Sequence, residues 1–65
     1  KPTIIFEHDD QYFNDPNKTK HELENFFIKN KYDVFEIDLF DYRRLNLVNW
    51  KKNLQSNLIA IHVND

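Results

Sequence analysis

The 65-residue chain contains no glycine, no cysteine and no methionine, and only two prolines. The missing cysteines exclude disulfides and thiolate zinc sites, the usual staples of small domains. The missing glycine excludes more. Phosphate-cradling turns need glycine for tight geometry and close backbone approach, so neither a Walker loop nor a dinucleotide fingerprint lies here. No apolar run is long enough to span a bilayer and no signal-peptide pattern is present, which gives the expectation of a cytoplasmic chain without membrane contact. The net charge of −2 and pI near 5.9 speak against a nucleic-acid partner, which draws on clustered positive charge. A chain this short buries only about 60% of its unfolded surface. The opening at Lys1, directly before a strand, suggests a single segment over 1–65 that belongs to a larger domain.

What is present reads as alternating strands and helix. Residues 2–8, PTIIFEH, place Ile4, Ile5 and Phe6 on both faces of a period-two strand, as in sheets covered on both sides. Asn14, Asp15, Pro16 and Asn17 form a turn. A helix follows, with two possible starts: Asp15 as N-cap with Pro16 at the first position, or Thr19 with Glu22 as a capping box. Leu23, Phe26, Phe27 and Asn30 share one helical face, and Lys29 and Lys31 fall near the negative end of the helix dipole.

YDVFEIDL, residues 32–39, alternates. Phe35, Ile37 and Leu39 form an apolar face, and Glu36 and Asp38 lie opposite with Tyr32 and Val34. That pattern predicts a strand wet on one side, at the margin of a sheet. LIAIHV, residues 58–63, is apolar on both faces and belongs in the sheet interior. Strand, helix and strand make a right-handed βαβ unit. With the third strand between the first two and reversed, the expectation is an α/β fold: a β-α-β-(α)-β mixed sheet in the spatial order first, third, second. The bracketed element is a short helix through Leu47, Val48, Trp50 and Leu54, capped by Asp41 or Asn46.

A unit closed by a reversed strand between two parallel ones resembles the C-terminal part of class I methyltransferases. KPTIIFEH is similar to the Pro-x-Ile-hydrophobic-Phe-Glu strand of the FkbM methyltransferase family. Asn30-Lys31-Tyr32-Asp33-Val34-Phe35 resembles that family's Gly-Tyr-x-hydrophobic-aromatic strand opening, and Asn57-Leu58-Ile59-Ala60-Ile61-His62 its closing Asn-hydrophobic-hydrophobic-Ala strand. The likeness covers nearly all of this chain and the last quarter to third of a typical family domain. Lys31 departs from the pattern, standing where the family usually has glycine, and residues 40–57 are hard to align. The resemblance implies a Rossmann-like parent enzyme that transfers a methyl group from S-adenosylmethionine to a hydroxyl of a sugar or secondary metabolite, with a small-molecule or glycan acceptor as partner. Its cofactor-gripping loop lies on earlier strands, so this segment alone is expected to be inactive and to bind no cofactor.

Ligands of open α/β sheets bind beyond the carboxyl ends of the parallel strands. Glu7 and His8 end the first strand, and either could take a proton from an acceptor hydroxyl. Asp10 and Tyr12 are the candidate substrate-binding residues beside them. The bland alternative is that the strand simply runs into solvent there, with Asp9 and Asp10 beginning a turn. A metal held by His8, Asp9 and Asp10 is disfavoured, because adjacent strand residues point to opposite faces. His21 reads as solvated and His62 as a hydrogen-bonded core histidine. Arg43, Arg44, Lys51 and Lys52 around Trp50 read as a solvated surface with the indole turned inward, against a nucleic-acid patch. A rival resemblance to RAP and repair-endonuclease-like α/β modules lacks the Glu-x-Lys of metal-dependent nucleases: Glu7 is followed by His8 and Asp9, and Glu36 by Ile37 and Asp38. A third reading is an interaction module with no catalytic role.

Overall fold

The computed structural model describes residues 1–38, 40, 41 and 44–63. In chain order they form β1 (Ile4–Asp9), a 3-10 turn (Asp10–Tyr12), α1 (Pro16–Lys29), β2 (Tyr32–Ile37), β3 (Leu45–Leu47) and β4 (Gln55–His62). The strands make one four-stranded sheet in the order β1-β4-β2-β3. β4 is antiparallel to both β1 and β2, so those two run in the same direction, as expected from the sequence.

Every neighbouring pair is antiparallel, so the expected mixed sheet has no parallel ladder among the described strands. The expected short helix is also absent. Leu45 and Leu47 alternate instead as β3, which pairs with Phe35–Ile37 and takes the rim in place of β2. Asn49 then starts a turn by accepting the Lys51 N–H on its side chain and the Lys52 N–H on its carbonyl. Such side-chain bonds compete with helix formation, which explains why apolar spacing alone misled. Leu39 and Arg43, which figured in the sequence reading, lie outside the described residues.

The first of the two helix starts is the one adopted. Asp15 accepts the Lys18 N–H at 3.2 Å and Pro16 opens the first turn. Thr19 sits inside the helix with its hydroxyl on the Asp15 carbonyl, so it caps nothing. The inward stripe is Lys20, Leu23 and Phe27, at spacings of three and four. Phe26, expected on that face, is largely exposed, and Asn30 is the C-cap.

Phe27, Tyr32, Val34, Leu58 and Ala60 form the core, with Ile4, Phe6, Leu23, Val48 and Trp50 packed around it. The inward turn of Trp50 expected from the sequence is therefore observed. The dry face of β2 is the reverse of the expected one. Tyr32 and Val34 are buried under α1, and Phe35 and Ile37 look to the other side. The cause is tertiary: Tyr32 donates its hydroxyl to the Pro2 carbonyl at 2.8 Å and its ring meets Phe27 edge-on. A period-two pattern states that two faces differ but not which one a helix will cover.

The helix ends in a device that involves Lys31. Its φ is +61°, the left-handed region that glycine enters without steric cost, and its N–H bonds the Ile28 carbonyl. A Cβ-bearing residue is held there at a cost of about 1–2 kcal/mol. Lys31→Gly is therefore expected to raise the urea midpoint, by about 1 kcal/mol of stability once the greater freedom of unfolded glycine is subtracted. A lower midpoint would show that the lysine side chain outweighs its backbone strain.

Candidate functional site

The polar cluster at the end of β1 is divided by the pleat. His8 faces α1 and is 4% exposed, whereas Glu7 is exposed on the opposite side. The two candidate proton acceptors are thus not brought together. Asp9 is half-buried and caps the 3-10 turn, accepting the Gln11 N–H and, on its second oxygen, the Gln11 side-chain amide. Tyr12 projects outward, 79% exposed.

Asp10, expected as a substrate-binding residue, is buried. One carboxylate oxygen lies 2.8 Å from His8 Nε2. The other takes Lys20 Nζ at 2.7 Å and the Leu54 N–H at 3.0 Å. Lys20 Nζ also donates to the Lys52 carbonyl at 2.8 Å, and the Asp10 N–H donates to the Leu54 carbonyl at 2.9 Å. The end of β1, the helix and the residue leading into β4 are thereby tied at one carboxylate. Burial opposes ionisation of Asp10, but the bonds from Lys20, Leu54 and His8 override it and hold its pKa at about 2, below the ordinary 3.8. An ionised carboxylate only accepts hydrogen bonds, so Nε2 of His8 carries a proton. Nδ1 makes no hydrogen bond to the protein among the described residues.

Phe13 stacks on the His8 ring with centroids 5.2 Å apart. Around them lies a hollow of about 400 Å³ walled by Glu7, His8, Asp9, Tyr12, Phe13, Gln55, Ser56 and Asn57. Ser56 lies opposite His8 on β4 and donates to Glu36, which is paired in turn with Lys52 Nζ at 2.7 Å. Sequence reasoning singled out Glu7, His8, Asp10 and the aromatic pair Tyr12 and Phe13 but missed Lys20 and Ser56. For Lys20 a signal existed. It falls three and seven residues before Leu23 and Phe27, and a cation on an inward stripe calls for a buried carboxylate.

Among the described residues no group of three or more histidines and carboxylates is placed to hold a metal ion. His21 is exposed and near Asn25, while His62 meets Tyr32 edge-on. Contrary to expectation, His62 Nδ1 is buried without a hydrogen-bond partner. No helix among the described residues is long and apolar enough to cross a membrane. No protein-family model, curated protein or solved structure matches the chain.

Proposed function

We propose that this chain is the closing part of the sheet in a Rossmann-like, S-adenosylmethionine-dependent O-methyltransferase of the FkbM kind, and that it walls the acceptor side of the site. The observation that carries the reading is β4, reversed and seated between two strands that run the same way. The left-handed backbone at Lys31 adds support, since this is where the resembled family has glycine and where glycine is the cheapest residue.

No residue here is assigned to grip the cofactor, because a chain without glycine offers no close backbone approach to it. Bound elsewhere in the parent enzyme, the cofactor supplies an electrophilic methyl group. The task left to this segment is to orient a small-molecule or glycan hydroxyl and take its proton. Asp10 fixes the His8 tautomer, and Nδ1 accepts the hydroxyl proton as the oxygen gains its methyl group. Lys20 keeps Asp10 ionised, and Phe13 holds the imidazole plane. Glu7 stays at the rim, on the other side of the strand. The rival nucleic-acid reading gains nothing from the sheet, whose strands contain carboxylates but no lysine or arginine.

In the longer enzyme this reading implies, His8→Gln is expected to lower kcat for labelled-methyl transfer by about 10²–10⁴-fold, the usual range for a lost general base. An unchanged kcat overturns the role of His8. Titration calorimetry on the 65-residue chain alone should show no binding of S-adenosylmethionine. Micromolar binding would place the cofactor site here and overturn the division of labour.

A further inference from the structure

The hollow at the end of β1 takes its walls from both sides of the pleat, because β1 is the outer strand of the sheet. Glu7 stands directly opposite Asn57, and Asp9 opposite Gln55. Directly opposed side chains of an antiparallel pair have Cβ atoms about 5 Å apart, so one small molecule reaches all four. A volume of about 400 Å³ lies in the range of small-molecule sites.

The fold leaves several polar groups of this wall unused. Among the described residues the side chains of Glu7, Gln55 and Asn57 have no hydrogen-bond or ion-pair partner. His8 Nδ1 is unpaired as well, although the His8 side chain is only 2% exposed. A ring nitrogen so nearly buried beside a cavity is a group that a ligand can satisfy. The remaining wall is aromatic. Tyr12 is largely exposed, and Phe13 gives one ring face to His8 while remaining 41% exposed.

The charge of the wall is of one sign. Glu7 and Asp9 are its carboxylates, and no lysine or arginine belongs to it among the described residues. The two cations of the neighbouring network are engaged, Lys20 by Asp10 and Lys52 by Glu36. A phosphate or carboxylate entering here meets repulsion with nothing to offset it. An ammonium group instead gains a charge-assisted hydrogen bond to Glu7 and the negative ring faces of Tyr12 and Phe13. Gln55 and Asn57 each offer an amide that both donates and accepts, as suits the hydroxyls of a polyol. We infer that the hollow takes an amine-bearing polyol of the amino-sugar kind, its ammonium at Glu7 and its hydroxyls on Gln55, Asn57 and His8 Nδ1. Calling that ligand the methyl acceptor rests on the reading above; its binding does not.

The test is a nuclear magnetic resonance titration of the isotope-labelled chain at about pH 6.5, below the range in which such an amine loses its proton. Three probes differ in charge: glucosamine, N-acetylglucosamine and glucose 6-phosphate. Glucosamine should give saturable shifts at the amides of Glu7, Tyr12, Phe13, Gln55 and Asn57, and bind about three- to tenfold more tightly than its N-acetyl form. Glucose 6-phosphate should bind most weakly of the three. Glu7→Gln should remove the preference for the amine, whereas Asp33→Asn, an exposed carboxylate outside the hollow, should leave it unchanged. The inference is overturned if glucosamine gives no saturable shifts at these amides, if either other probe binds as tightly, or if the preference survives Glu7→Gln. Equal loss in Asp33→Asn overturns it too, by tracing the preference to net charge. In the longer enzyme, methyl transfer indifferent to the acceptor's charge sinks this inference and spares the methyl-transfer reading. Glucosamine binding with no transfer to any acceptor does the reverse.

Discussion

Asp10→Ala is expected to cost about 3–5 kcal/mol, because it strands the Lys20 ammonium in the interior and leaves the Leu54 N–H without its side-chain acceptor. A chain of this size has about 3–10 kcal/mol of net stability in all, so the variant should be largely unfolded at physiological temperature. Circular dichroism and urea titration measure this directly. The destabilisation comes chiefly from the orphaned charge and only partly from the lost pair, so Asp10→Leu combined with Lys20→Met should recover much of it. A double variant as unstable as Asp10→Ala would show instead that the tie between β1, α1 and the start of β4 is itself indispensable. The same group makes the fold acid-sensitive. Asp10 has a folded pKa of about 2 against an ordinary 3.8, so its contribution is complete above about pH 4 and is lost as the pH falls towards 2. Asp10→Asn should flatten that part of the pH profile, and an undiminished acid transition would assign it to other carboxylates.

Phe27→Ala should be of similar size, about 3–5 kcal/mol. The ring is the hub of the covered face. It stacks on Phe6 at 5.6 Å and on Trp50 at 6.4 Å, and meets Tyr32 edge-on at 5.8 Å. Removing it opens a cavity between helix and sheet that its aromatic neighbours cannot fill without leaving their rotamers. Because Trp50 is the only tryptophan, its emission should shift to the red in any variant that stays folded. Phe26→Ala, one position away but largely exposed, should cost far less. Equal costs at the two positions would mean that α1 sits on the sheet by a different face.

These two positions also mark how far the sequence could be read. Phe27 was legible, because Leu23 and Phe27 recur at helical spacing ahead of a strand that needs covering. Asp10 was legible only as a polar residue beyond a strand. Its partner Lys20 is ten positions away and the Leu54 N–H forty-four, and no local pattern carries a contact of that range. The split between Glu7 and His8 follows from strand periodicity, yet which of them would be buried depends on the side that α1 covers.

Local chemistry is enough to set the helix that follows the turn at residues 14–17, the run of three main strands and the central place of the last one. Each follows from backbone preferences and apolar periodicity within a few residues. Long-range packing alone could choose the covered face of β2, place β3 at the rim where a helix was expected, and close Asp10 against Lys20 and Leu54. Those outcomes turn on energies shared between segments distant in the chain, which no single segment contains.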